Sequence, residues 1–339
     1  MLLHRLILGF LLVSTSASSQ TDHDAYAIGV DGVKLVDEGN FDQGIKLLKQ
    51  AHFLQPSDYD FAFELGKAYL KSGDSKKAEK QLFPLQYHVN VQADLYLLLA
   101  NCYAILEQDK KTPDETRKKE LDALRYGIQK LPSEGILYLE LAKRNVELEK
   151  SIEALATFES GIRNAPNFAE NYYWAAKLMK ASSNHFWSWI YAETCFNMTD
   201  DVELQRSSAR MIEQSLAAIS EPKWNPEPNK METDLKFVVG SKCSKPSDAS
   251  IEHLSAFRIC LFTNWDVSAY SFAPLSVRMK QLNDKRWIES YVASQKQETD
   301  KPAFLNWLVA HPKEFEAFGN WRYWNQMQVN QPILRTPNN

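Results

Sequence analysis

Small, apolar and aromatic positions along the first two-thirds of the chain recur at an interval of 34 residues. Gly32 and Gly66 are separated by this interval, and so are Tyr69 and Tyr103. A repeat of this length is typical of stacked pairs of antiparallel helices. The pattern therefore predicts five helical pairs over roughly residues 25–200. They begin near Ala25, Tyr59, Ala93, Gly135 and Ala169.

A small residue lies midway along the first helix of every predicted pair, where it lets the second helix approach closely. These residues are Gly32, Gly66, Ala100, Ala142 and Ala176. The second helix has its own small residue in four pairs, at Gly44, Ala78, Ala154 and Ser188. Pro84 lies inside the second helix of the second pair, so we expect that helix to be kinked or shortened. About eight extra residues from Glu107 to Asp114 predict an exposed loop in the third pair.

The second half of the chain has a different pattern. One more helix is predicted from Glu203 to Ile219, which would complete an array over residues 25–220. Residues 221–250 read as an irregular linker, with three prolines in the first eight residues and a short strand at Leu235–Val239 as one interpretation. Helical spacing returns over residues 251–327, which predicts a smaller helical module. Residues 328–339 are predicted to be a tail without regular structure.

The repeated segments resemble tetratricopeptide repeats. The clearest are residues 39–51, which lead to Pro56, and residues 151–158, which lead to Pro166. The resemblance implies an all-α fold, an α-solenoid of about five helical hairpins followed by the helical C-terminal module. The overall layout is also similar to exported repeat proteins of Bacteroidota, which brings no assigned activity.

The resemblance also implies a concave groove, formed by the first helices, in which a segment of a partner protein lies. The positions that match this groove form an apolar row and a row of lysine or amide side chains, and they are Phe63, Lys67, Leu97, Asn101, Leu139, Lys143, Tyr173 and Lys177. These two rows suit an amphipathic or acidic partner segment. The alternative is that the apolar row is covered by the neighbouring part of the chain. The residues do not rebuild the clamp that some relatives use for a chain-terminal carboxylate.

The first 19 residues predict a secretory signal peptide. A basic start is followed by the short apolar run Leu6–Val13 and by small residues, so cleavage is expected near Ala17–Ser19. We therefore expect a periplasmic or secreted protein with no integral membrane segment after cleavage. In an oxidising compartment Cys243 and Cys260 can form a disulfide, and four separate buried thiols are the alternative.

Catalytic and cofactor-binding motifs do not stand out from the sequence. We find no nucleophile elbow, phosphate-binding loop, dinucleotide fingerprint or zinc-binding spacing, so no catalytic residue, metal or cofactor is expected. The net charge of −4 argues against a nucleic-acid partner. Tryptophans cluster after residue 185, and we expect them to pack in a core rather than bind ligands. The sequence favours a non-catalytic scaffold in the bacterial cell envelope that binds protein partners. The alternatives are a glycan- or nutrient-binding accessory protein of the outer membrane, and an enzyme that uses the C-terminal module.

Overall fold

The protein is described here from a computed structural model, which places residues 24–107, 113–221, 223–225, 230–243, 245–265, 273–329 and 333. Every regular element in these ranges is a helix, which confirms the prediction of an all-α fold. The chain divides into two compact units, residues 1–131 and residues 132–339. The predicted signal peptide lies outside the described residues, as do residues 108–112 of the predicted loop and most of the predicted tail.

Unit 1 (residues 1–131) contains three helical pairs. The helices are α1 (24–37), α2 (Phe41–Leu54), α3 (Tyr59–Lys71), α4 (Ser75–Leu82), α5 (Ala93–Glu107) and α6 (Pro113–Lys130). The predicted effect of Pro84 is confirmed, because α4 stops at Leu82 and a 3₁₀ turn, Phe83–Tyr87, follows. Proline lacks the backbone N–H that the next α-helical turn would need.

Unit 2 (residues 132–339) contains two further pairs and the C-terminal helices. The helices are α7 (Gly135–Glu147), α8 (Ser151–Asn164), α9 (Ala169–Ala181), α10 (His185–Met198), α11 (Val202–Ile219), α12 (Lys230–Ser241), α13 (Ile251–Asn264), α14 (Ala273–Asp284), α15 (Ile288–Thr299), α16 (Lys301–Ala310) and α17 (Pro312–Trp324). One buried apolar cluster extends from Leu139 to Ile333. The last two repeats therefore share a core with the helices that the sequence assigned to a separate C-terminal module.

The turns inside the helical pairs repeat with the same register as the sequence. Gly39, Gly73, Glu149 and Ser183 all have a positive φ between 60° and 87°. The next residue then bonds back to a carbonyl five residues earlier, as in Asn40 N to Leu35 O (2.8 Å) and Asn184 N to Met179 O (2.9 Å). This arrangement satisfies the last carbonyls of each first helix. Arg286 (φ 59°) makes the same turn between α14 and α15, so the C-terminal region contains one hairpin of similar geometry.

The strand interpretation of Leu235–Val239 is wrong. These residues lie in α12, where Leu235 is fully buried and Val238 is 6% exposed. A separation of three residues places both side chains on one face of a helix, and this face joins the apolar core of unit 2. Burial of that face favours the helix over an isolated strand, which would leave its backbone groups unpaired.

The cysteines are either bonded or buried. Cys243 and Cys260 form a disulfide between the end of α12 and α13, with Cα atoms 5.7 Å apart. Cys102 and Cys195 are buried free thiols. Burial raises the pKa of both thiols to about 12, because the apolar surroundings disfavour a thiolate. Neither free thiol is therefore suited to act as a nucleophile.

The C-terminal aromatic residues pack mainly in the core of unit 2. Trp265, Tyr291 and Trp307 are each at most 5% exposed. Trp287 lies 5.0 Å from Trp321 between ring centroids, so these rings also contact each other. Tyr323 is the exception, with 72% of its surface exposed. These positions agree with the expectation that the tryptophans fill a core.

Candidate functional site

Helices α1 and α3 of unit 1 lie side by side and run in the same direction. At their C-terminal ends Lys71 Nζ contacts Asp37 Oδ1 at 2.6 Å. Nearer their N-terminal ends the Phe61 ring packs against Gly29, where an added Cβ would lie only 2.5 Å from the ring. Glycine at this position therefore allows the ring of one helix to contact the backbone of the other. The contacts leave an open groove along the two helices.

This groove, which we call the α1–α3 groove, has a volume of about 530 Å³. Tyr26 and Val30 are 68% and 49% exposed, and Val33 and Phe61 line the groove beside them. Exposed apolar side chains in a concave surface are typical of a binding site rather than of ordinary surface. The complete lining consists of Tyr26, Gly29, Val30, Val33, Lys34, Asp37, Glu38, Leu48, Asp60, Phe61 and Glu64.

The four groove positions predicted in unit 1 lie on α3 and α5. Phe63, Lys67 and Leu97 are half-buried and Asn101 is exposed. Phe63 stacks on Tyr59 with 5.7 Å between ring centroids, so part of its surface is already covered. None of the four lines the α1–α3 groove, although Gly29 and Val33 from the same two rows do. The groove is therefore centred on the first repeat, where the sequence reading gave least weight.

The four positions predicted in unit 2 differ in their exposure. Leu139 is 7% exposed and belongs to the apolar core, so this residue does not offer a surface to a partner. Burial of Leu139 corrects its place among the groove residues. Lys143 and Tyr173 are half-buried, and Lys177 is exposed.

The predicted row of cations is largely neutralised by neighbouring side chains. Lys67 Nζ lies 3.1 Å from Glu64 on the same helix, and Lys143 Nζ lies 2.9 Å from Glu140. Lys177 Nζ sits 4.4 Å from the centre of the Trp174 ring. These contacts remove the main reason for expecting an acidic partner at the predicted row.

A second open cavity in unit 1, of about 840 Å³, lies beside the turns that lead into α3 and α5. Its lining is mostly polar and includes Asp58, Asn90 and Gln92. Asp58 caps α3 by accepting bonds from the backbone of Asp60 and Phe61. Tyr59 contributes to the wall but is 8% exposed, so it offers little ring surface on which a sugar could stack.

The most extensive buried polar cluster described in unit 2 surrounds Glu193, which is fully buried on α10. Glu193 accepts bonds from Arg258 Nη1 (3.1 Å), from the Tyr291 hydroxyl and from Trp189 Nε1 (2.7 Å). Burial and the nearby Glu193 carboxylate raise the pKa of Tyr291 well above its ordinary value. A cleft beside Arg258 has a volume of about 20 Å³, room for about one water molecule. The cluster therefore ties α10, α13 and α15 together and leaves no space there for a substrate.

Two further searches cover only the described part of the chain. No group of three or more His, Cys, Asp or Glu side chains there has an arrangement that could hold a metal ion. No described helix combines the length and the apolar composition that crossing a membrane requires.

Comparison with known families identifies the repeat. Residues 35–102 match the family model for the tetratricopeptide repeat. This segment of the chain is a tetratricopeptide repeat. It begins near the end of α1 and ends within α5, so it includes α3 and part of the α1–α3 groove. Such repeats generally mediate protein–protein interaction and typically act as non-catalytic scaffolds.

Three solved structures illustrate the similarity of fold. A thermophilic tetratricopeptide repeat protein of Thermus thermophilus is 17% identical with a TM-score of 0.41, and the alignment covers 56% of this chain and 99% of that one. PilF of Pseudomonas aeruginosa is 14% identical (TM-score 0.39; 89% and 99% covered). A tetratricopeptide repeat protein from Parabacteroides merdae is 15% identical (TM-score 0.40; 77% and 99% covered). No curated protein matches the sequence significantly.

Proposed function

We propose that this protein is a non-catalytic scaffold of the bacterial cell envelope that binds a segment of a partner protein in the α1–α3 groove. The observation that carries the proposal is the open apolar groove of about 530 Å³ on the first repeats. Partly exposed apolar side chains in such a groove gain free energy when a partner removes them from water. The match of residues 35–102 to a repeat that generally mediates protein–protein interaction supports the same conclusion.

Location in the cell envelope rests on two features. The first residues carry the basic, apolar and small-residue pattern of a secretory signal peptide. The disulfide between Cys243 and Cys260 is the second, since such bonds persist mainly in oxidising compartments.

The scaffold is favoured over the two other candidates by what the described clusters do. The buried polar residues around Glu193 bond to one another beside a cleft of about 20 Å³, which does not suit a substrate site. The aromatic residues expected to stack on sugars pack in the core instead, with Trp265 and Trp307 as examples. Both observations leave the groove of unit 1 as the best-supported binding surface.

Polar substitution in the groove tests this function. We expect the double change Val30→Asp and Tyr26→Ser to reduce recovery of cross-linked protein partners from cells by more than about tenfold, because the variant loses apolar contact area. The matched control is Phe53→Ser on α2, which replaces a side chain that is 82% exposed and does not line the groove. Recovery is measured by quantitative mass spectrometry after in-cell cross-linking.

The proposal fails if the groove variant keeps a normal circular dichroism spectrum and recovers the same partners as the wild type. It also fails if Phe53→Ser reduces recovery as much as the groove variant does, because binding would then not be confined to the groove.

A further inference from the structure

Carboxylates dominate the charged side chains that line the α1–α3 groove. The lining includes Asp37, Glu38, Asp60 and Glu64, and Lys34 is the one basic residue among its lining residues. The groove therefore combines an apolar floor with a rim of negative charge. A partner that carries positive charge beside its apolar side chains is complementary to both features.

Two of these carboxylates already have partners. Lys71 Nζ donates to Asp37, and this contact lowers the pKa of the Asp37 carboxyl. Lys67 Nζ donates to Glu64 at 3.1 Å. For Glu38 and Asp60 no ion pair is formed with a described residue. These two side chains are the ones left to bind a cation from outside.

Glu38 and Asp60 lie at opposite ends of the groove. Asp60 is in the first turn of α3, whereas Glu38 follows the last residue of α1, Asp37, which contacts Lys71 at the far end of α3. The 11 residues from Asp60 to Lys71 rise by roughly 16 Å in a helix, so the two carboxylates bracket the apolar floor at about that separation.

We propose that the occupant of the α1–α3 groove is a basic amphipathic helix, with Lys or Arg side chains three turns apart and apolar side chains between them. Residues three turns apart, at i and i+11, fall on nearly the same face of a helix and are separated by roughly 16 Å. The basic groups bind Glu38 and Asp60, and the apolar groups pack on Val30, Val33 and Tyr26. This inference rests on the proposed function, because it names the chemistry of the segment bound in that groove.

A designed peptide tests the inference directly. The probe is a labelled helical peptide of about 16 residues with two lysines three turns apart, leucines on the same face between them, and alanine and glutamine elsewhere. Two companions carry glutamate or glutamine in place of the lysines. Fluorescence anisotropy with the full chain measures each dissociation constant at roughly 0.05 M and 0.5 M NaCl, since salt screens exposed ion pairs.

We expect the lysine peptide to bind about tenfold more tightly than the glutamine peptide, and the glutamate peptide to bind most weakly. The advantage of lysine should shrink at high salt. The double change Glu38→Gln and Asp60→Asn should remove most of that advantage. The matched control is Glu289→Gln with Glu316→Gln, which neutralises one carboxylate in the first turn of α15 and one exposed carboxylate on α17. This control should bind like the wild type.

Equal or tighter binding of the glutamine or glutamate peptide would overturn the basic partner. If that binding is also lost in the Val30→Asp and Tyr26→Ser variant, the groove remains a protein-binding site and only its charge preference is wrong. Failure of all three peptides to bind overturns the inference as well, and the partner-recovery experiment then decides the proposed function independently.

Discussion

Replacing Glu193 with glutamine is expected to lower the free energy of unfolding of unit 2 by about 3–5 kcal/mol. Glu193 is fully buried, and its carboxylate accepts hydrogen bonds from Arg258, Tyr291 and Gln295 at Oε1 and from Trp189 at Oε2. Glutamine keeps the size of the side chain but removes the negative charge. The Arg258 guanidinium, 3% exposed, would then lie buried without its counter-ion. Urea unfolding followed by circular dichroism measures the loss.

Two further variants separate the loss of the charge pair from a general effect of substitution. Glu193→Leu combined with Arg258→Met removes both charges and should cost less than Glu193→Gln alone, because no unpaired buried ion remains. Glu289→Gln, at an exposed position on α15, should change stability by less than about 0.5 kcal/mol. A loss below roughly 1 kcal/mol for Glu193→Gln would mean that the buried pair does not stabilise the packing of α10.

Replacing Gly44 with alanine is expected to lower the stability of unit 1 by about 1–3 kcal/mol. A Cβ at this position would lie 2.8 Å from the Gly32 carbonyl oxygen and 3.0 Å from the Val36 backbone nitrogen. Both atoms belong to the backbone of α1, so they cannot be moved by a change of rotamer. The two helices must therefore separate, and hydrogen exchange in α1 and α2 should become faster along with the lower stability.

Gly319→Ala is the matched control for the Gly44 variant. Gly319 lies within α17, and a Cβ there meets no atom within 4 Å. Alanine should therefore stabilise this helix by about 0.5–1 kcal/mol, because glycine loses more backbone entropy on folding. If Gly44→Ala stabilises the protein as Gly319→Ala does, α1 and α2 do not cross closely at Gly44.

The repeat register could be read from the sequence because each unit encodes it locally. Gly32 and Gly44 are small because two backbones approach there, and Gly39 and Gly73 allow a positive φ in the turn. The same turn recurs at Glu149 without glycine, which shows that the helical pairing imposes this conformation even at some cost.

Long-range contacts explain what the sequence did not predict. Glu193 and Tyr291 are 98 residues apart, and no local pattern links them. The one available signal was the spacing of Trp189, Glu193 and Asn197, polar or hydrogen-bonding groups four residues apart on an otherwise apolar helix. Such spacing indicates a polar stripe that must be satisfied inside a core. The joint core of the last repeats and the C-terminal helices likewise depends on residues distant in sequence.

The charge of the binding surface was also beyond the sequence reading. Lys67 and Lys143 were counted as a cationic row, but each lies within 3.1 Å of a glutamate three residues earlier on its own helix. Pairs at this spacing offset each other along a helix surface. The choice of the first repeat as the groove depends on the close contact of Gly29 with Phe61, which the period alone does not show.

Site-specific photo-cross-linking is the most direct test of the claim that the α1–α3 groove binds a protein. A photoreactive amino acid is introduced in place of Val30, which lines the groove, or of Phe53, which does not. After irradiation in cells, mass spectrometry identifies the proteins attached at each position. We expect one partner segment to be attached at position 30 and little or none at position 53. Attachment of the same proteins at both positions, or of none at position 30, would contradict the claim.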